Sequence, residues 1–180
     1  QVLTAPEPAT DAKPIPELRT SIRGFGQFGL IRFTASDSFD AITGKPTGVM
    51  YGGGVQFDLS NGVFFQGSLE RYQENGERVF VFEDQLFQLG IQNTVTVTPT
   101  LFTMGYRRPS SENVVGYVGA GVGRHRFEEQ ADLADPSLNV DETKIGYHVL
   151  AGVEYHLTPW LWIGVESQWA YVPNILGNDG

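Results

Sequence analysis

Nine polar side chains recur at alternating positions and could do chemistry together: Gln56, Asp58, Gln66, Glu70, Arg107, His148, Glu154, Glu166 and Gln168. Paired carboxylates, one held protonated by its surroundings, are the minimum for general acid–base work. Nothing in the chain fixes a substrate for them, so the expected role is a network of ion pairs and hydrogen bonds, and no catalytic residue is assigned. His125, His148 and His156 are too scattered for metal-ligand spacing. The acidic run through Asp132, Asp135, Asp141 and Glu142 lacks the glycine and bidentate glutamate of a calcium loop. Gly44-Lys45-Pro46-Thr47 has no phosphate-loop context, and no Gly-x-Ser-x-Gly elbow exists. Neither a metal nor a cofactor is expected.

The elements that must position these groups are strands. From Ile145 to Leu157, the residues Ile145, Tyr147, Val149, Ala151, Val153, Tyr155 and Leu157 alternate with Gly146, His148, Leu150, Gly152, Glu154 and His156. A strand sends successive side chains to opposite faces, so one face here is apolar and the other carries the polar set. Thr47 to Leu59 repeats the split, with Val49, Tyr51, Val55, Phe57 and Leu59 opposite Gly48, Met50, Gly52, Gly54, Gln56 and Asp58. Val63 to Tyr72 sets Phe65 and Leu69 against Gln66, Ser68 and Glu70. Val114 to Glu128 sets Val118 and Val122 against Tyr117 and three glycines, and the seventh stretch sets Ile163, Val165, Trp169 and Tyr171 against Trp162, Glu166 and Gln168. The predicted lipid-facing set is therefore Val49, Tyr51, Val55, Phe57, Phe65, Leu69, Val118, Val122, Tyr147, Val149, Val153, Tyr155, Ile163, Val165 and Trp169. Tyr147 and Tyr155 share a face, and at about 3.3 Å per residue and a tilt near 40° they stand roughly 20 Å apart across a membrane.

Two stretches are less clear. Ile22 to Ala35 reads as a first strand whose facing is ambiguous, and Thr94 to Arg108 as a fourth containing Pro99, which cannot donate to a ladder. Asn61-Gly62 predicts a type I′ hairpin turn. Connections alternate in length: long at 36–46, 73–93 and 129–141, short at 60–62, 109–113 and 157–159. The second long one is expected to carry a small hairpin of its own. Long loops on one side and short turns on the other are a habit of outer-membrane barrels.

Composition agrees. No apolar run reaches the roughly 18 residues of a spanning helix, and mean hydropathy below zero is compatible with a barrel wall, where every second residue is apolar. A net charge of −9 argues against nucleic-acid binding. The absence of cysteine excludes disulfides, thiolate sites and an acylated N-terminal cysteine. The start Gln1-Val2-Leu3 is what a removed secretory signal would leave. Three segments are expected: a Pro-rich periplasmic tail (1–21), a barrel (22–172) and the start of a fourth extracellular loop (173–180). Seven strands leave an even-numbered barrel one short, so the last is cut off or supplied by another chain.

Gly116-Tyr117-Val118-Gly119-Ala120-Gly121-Val122-Gly123, Gly146-Tyr147 with Leu150-Ala151-Gly152-Val153-Glu154-Tyr155, and Thr103-Met104-Gly105-Tyr106-Arg107 together resemble the small eight-stranded outer-membrane barrels of the outer-membrane protein A type. The resemblance implies an all-β, antiparallel up-and-down transmembrane barrel in the bacterial outer membrane. Its partners would be membrane lipid and lipopolysaccharide; Arg124 and Arg126, which flank His125, either bind lipopolysaccharide phosphate or pair with Glu128, Glu129 and the loop acids. The chain departs from that family in lacking a last strand with its terminal aromatic residue. The expected role is structural or surface-interacting, without enzymatic activity. The alternatives are a narrow channel for small or amphipathic solutes and a soluble lipocalin-like barrel with the apolar set turned inward.

Overall fold

The computed structural model describes residues 18–32, 47–82, 85–131 and 140–173. Most of the Pro-rich tail, the first long connection, Asp132, Asp135 and the segment from residue 174 onward lie outside these residues. The chain forms β1 (Ser21–Arg32), β2 (Thr47–Asp58), β3 (Val63–Phe82), β4 (Gln85–Pro109), β5 (Val114–Ala131), β6 (Val140–His156) and β7 (Trp162–Tyr171). They make one sheet in sequence order, every neighbouring pair antiparallel. The fold is an all-β up-and-down meander of barrel type. Its curl brings Arg23 on β1 within 2.9 Å of Glu154 on β6, across 131 residues of sequence.

Alternation decides which face is which. Among the described side chains, ten polar or charged residues are buried against eight apolar ones, while the largest aliphatic and aromatic side chains crowd the outer face. Val149 is 50% exposed, Leu69 57% and Val165 77%, all on that face. β1 joins the same scheme: Phe28 and Leu30 are outside, and Arg23, Phe25, Gln27 and Ile31 turn inward.

Each short turn has its own chemistry. The expected type I′ turn is corrected to a three-residue loop of Ser60, Asn61 and Gly62: Gly62 N–H donates to Leu59 O (3.0 Å) and Leu59 N–H to Val63 O (2.8 Å). Gly62 alone is left-handed, at φ 92°, as in a type I turn followed by a bulge. A Cβ there would stand 2.7 Å from Arg107 O and 2.8 Å from the Tyr106 ring. Gly62→Ala is expected to cost about 1–3 kcal/mol from backbone strain and crowding combined, checked by the urea midpoint of the refolded protein. At the third turn the Thr158 hydroxyl accepts from Leu161 N–H at 3.0 Å.

The second long connection also differs from expectation. The small hairpin exists, pairing Phe80 with Phe87, but it is the direct continuation of β3 and β4 past one irregularity between Glu77 and Val79. Pro99 leaves its mark where its missing donor requires. Pairing of β3 with β4 passes from Leu69–Thr100 to Tyr72–Val97, whereas on the β5 side Pro99 stays in register with His125.

Candidate functional site

At the short-turn end, four charges from four strands meet inside the sheet. Arg107 on β4 bonds Asp58 on β2 through Nη1 at 2.9 Å and Glu154 on β6 through Nη2. Arg23 on β1 bonds Glu154 at 2.9 Å and brings Nε within 3.0 Å of Asp58, an ion pair without hydrogen-bond alignment. Gln56 donates to Asp58 at 2.7 Å, and the Ser21 hydroxyl donates to Asp58 at 3.3 Å. Trp162 on β7 covers the cluster, with the Arg23 guanidinium 4.3 Å and that of Arg107 5.0 Å from its ring, and His156 stacked on it at 3.7 Å. The two arginines and two carboxylates balance in charge, so each ion has its counter-ion within a desolvated space.

Above this cluster the interior is tightly filled. Phe64 is fully buried and meets Tyr117 edge-on at 6.2 Å, and Tyr117 donates to Glu166 at 2.9 Å. Thr103 and His148 share a hydrogen bond of 2.8 Å, and Gln27 donates to Glu70 at 2.7 Å. Inward glycines make room for these groups. A Cβ on Gly121 would sit 2.7 Å from His148, and one on Gly119 2.8 Å from Thr103. Nearer the long-connection end, Tyr72, Val95, Val97 and Phe127 form a buried apolar cluster against which Ile31 and Met50 pack.

Of the expected polar set, Gln56, Asp58, Gln66, Glu70, Arg107 and His148 are buried inside, and Glu154 is half-buried. Glu166 is exposed and Gln168 half-exposed, because β7 is an edge strand with nothing paired beyond it among the described residues. The interior is not polar throughout: Phe64, Leu101, Val115 and Leu150 are buried there, and the Tyr72 cluster is apolar. Sequence reasoning missed Arg23 and the capping part of Trp162. The usable signal was that Arg23 is a charge near the start of a strand, at the same end as Asp58 once β1 and β2 are laid antiparallel.

The outer face changes character abruptly. Leu69 gives way to Arg71, Phe102 to Thr100, Val122 to Arg124 and Ile145 to Thr143, on four adjacent strands. Val55, Phe57, Val118, Tyr147, Val153, Tyr155, Ile163 and Trp169 are exposed below that line, Tyr51 is exposed in register with Arg71 and Val49 beyond it, and Phe65 is half-exposed, stacked on Phe102 at 6.5 Å. Above it, Arg126 forms a two-pronged bond to Asp141 (2.7 and 3.1 Å) and approaches Glu128 at 3.1 Å. This pairing with Arg126 holds Asp141 below the usual carboxylate range. A lowered pKa contributes stability above the unfolded value and loses it as pH falls through the folded one. Acidification through the acid limb of Asp141 is therefore expected to lower the amide protection factors at residues 141–143, taken against the intrinsic exchange rates at each pH, while leaving those of β5 and β6 near Val122 and Tyr147 unchanged. Among the described residues no group of three or more metal-ligating side chains occurs.

An up-and-down antiparallel sheet that turns charges inward and hydrocarbon outward defines a barrel-type protein with an inverted core. No protein-family profile matches the chain, and no curated protein does. Among solved structures, it is similar to Ail, the attachment invasion locus protein of Yersinia pestis, crystallised with the heparin analogue sucrose octasulfate. The match has 14% identity, covers 87% of this chain and 90% of that one, and has a TM-score of 0.48.

Proposed function

We propose that this chain is an integral β-barrel protein of the bacterial outer membrane, non-enzymatic, with a closed interior and a surface role exerted from its long-connection end. The carrying observation is the inverted distribution of side chains. In water an unbroken outer belt of Leu, Val, Ile and aromatic residues would drive aggregation, whereas in a bilayer it is the wetted surface. The lipocalin-like alternative needs the opposite facing. The belt ends where Arg71 and Arg124 begin, and β3 and β4 then continue far past the roughly 10 residues a membrane-crossing strand needs. Among the described residues Arg124 has no ion-pair partner, whereas Arg126 is engaged by Asp141 and Glu128. Arg124 is therefore our candidate for a lipopolysaccharide phosphate contact. The channel alternative loses support from the two plugs, the ion cluster below and the Tyr72 cluster above. The test is refolding into detergent micelles and lipid vesicles. The reading predicts a β-rich spectrum and a boiling-dependent shift in gel mobility only with lipid or detergent, and no stable conductance steps in planar bilayers. A monodisperse β-rich protein in plain buffer would contradict it.

A further inference from the structure

The apolar belt is not even. Across β4 to β7, near their short-turn ends, the outer face sinks into an open groove of about 720 Å³. Tyr106, Val153 and Val165 wall it, Gly116 and Ala151 form its floor, and Arg108 and Ser110 stand at its mouth. The fold does not require a glycine at 116. A Cβ on Gly105 would collide with the Phe64 ring and one on Gly152 with the Tyr117 hydroxyl, whereas one on Gly116 would meet nothing within 4 Å. Gly116 has no positive φ either. A strand glycine that neither packing nor backbone demands marks a place where something else comes close.

Register gives the groove a direction. Arg108, Gly116, Val153 and Val165 are successive partners across the four strands. Arg108 is the second residue from the end of β4, Gly116 the third of β5, Val153 the fourth from the end of β6 and Val165 the fourth of β7. The groove therefore leaves the short turns at Arg108 and climbs into the belt toward β7. Three strand spacings make it about 14 Å long, close to half of a hydrocarbon core about 30 Å thick. Arg108 is exposed and has no ion-pair partner among the described residues. A guanidinium takes a phosphate by two parallel hydrogen bonds, and in hydrocarbon a chain is held by dispersion contacts that a groove offers and a flat wall does not. A cation at the membrane surface joined to an apolar channel one leaflet deep fits an anionic head on an acyl chain.

We propose that this groove seats one phospholipid of the periplasmic leaflet, its phosphate on the Arg108 guanidinium and one acyl chain lying over Gly116 and Ala151. The seat rests on the membrane reading, and it adds to that reading a bound lipid of defined chemistry at the end opposite Arg124.

The test is native mass spectrometry of the chain released from maltoside micelles doped with increasing phosphatidylglycerol. One phosphatidylglycerol per chain is expected to survive release. Arg108→Gln removes the phosphate contact, and Gly116→Leu fills the groove through open space. Each is expected to raise the lipid concentration for half-occupancy about tenfold, the scale of one hydrogen bond to a charged group, while keeping the heat-shifted gel mobility. Arg71→Gln, at the other edge of the belt, is expected to leave half-occupancy at the wild-type value. Should Gly116→Leu fail to refold, Gly116→Val makes the same comparison with a smaller side chain. Half-occupancy unchanged in either the Arg108 or the Gly116 variant overturns the proposal. Competition by glycerophosphoglycerol, the same head without chains, also overturns it, since the site would then bind an anion alone. So does a wild-type dimer that Gly116→Leu splits, which would give the groove to a second copy. A chain that folds monodisperse in plain buffer contradicts the membrane reading itself and is seen before any lipid is added, so the two failures are distinct.

Discussion

Arg107→Met is expected to destabilise the folded chain by about 3–5 kcal/mol, the usual cost of removing one partner from a buried ion pair. Arg107 is the most enclosed member of the cluster, its side chain 2% exposed against 20% for Arg23. Its loss leaves Asp58 and Glu154 sharing one arginine, with Asp58 5% exposed. Two comparisons separate this account from simple loss of packing. Arg107→Lys keeps the charge but cannot bridge two carboxylates with a rigid fork, so it should fall between wild type and Arg107→Met. Arg107→Met combined with Asp58→Leu should recover part of the loss, because the orphaned carboxylate is gone. Urea midpoints in micelles, read by the heat-dependent mobility shift, measure all of these. A loss below about 0.5 kcal/mol for Arg107→Met, the range of an unremarkable surface change, would show that the cluster does not hold the fold together.

The second large effect concerns the outer face. Val149→Arg should cost roughly 2–4 kcal/mol in a bilayer, the penalty for a cation near the midplane of a barrel wall. Gln130→Arg, on the same outer face but on β5 beyond Arg124 and Arg126, should cost less than about 1 kcal/mol. The contrast is informative because Val149 is already half-exposed. For a protein in water both positions are surface sites, and both changes would stay within about 0.5 kcal/mol. Equal small effects in vesicles would therefore place the apolar belt somewhere other than lipid.

How much of this was legible beforehand follows from the period of a strand. Residues 145–157, 47–59 and 161–171 alternate cleanly, so facing could be read directly, and the long-short rhythm of the connections gave the meander. β1 resisted because Gly24, Gly26 and Gly29 carry no hydropathy signal and both parities contain large apolar residues. Arg23 was overlooked for that reason, and with it one of the four charges of the ion cluster. The upper apolar plug was illegible for a different reason. Tyr72, Val95, Val97 and Phe127 lie on three strands beyond the belt, where the outer face is polar and the inner one apolar, the reverse of the pattern below. A single rule for facing cannot cover a strand that leaves one solvent for another. The turn at Gly62 needed hydrogen bonds to distinguish two loop lengths that share the same Asn-Gly pair.

The most direct test of the account is the depth of single tryptophans in vesicles. Trp169 is 60% exposed on the outer face opposite Val149, whereas Trp162 is turned inward against Arg23. Variants keeping only one of these two, the other tryptophans replaced by Phe, are refolded into vesicles of lipid brominated in mid-chain. The account predicts strong quenching of Trp169 by the brominated chains, weak quenching of Trp162, and little access of aqueous iodide to either. Trp169 emission that iodide quenches and brominated lipid leaves unchanged would contradict it.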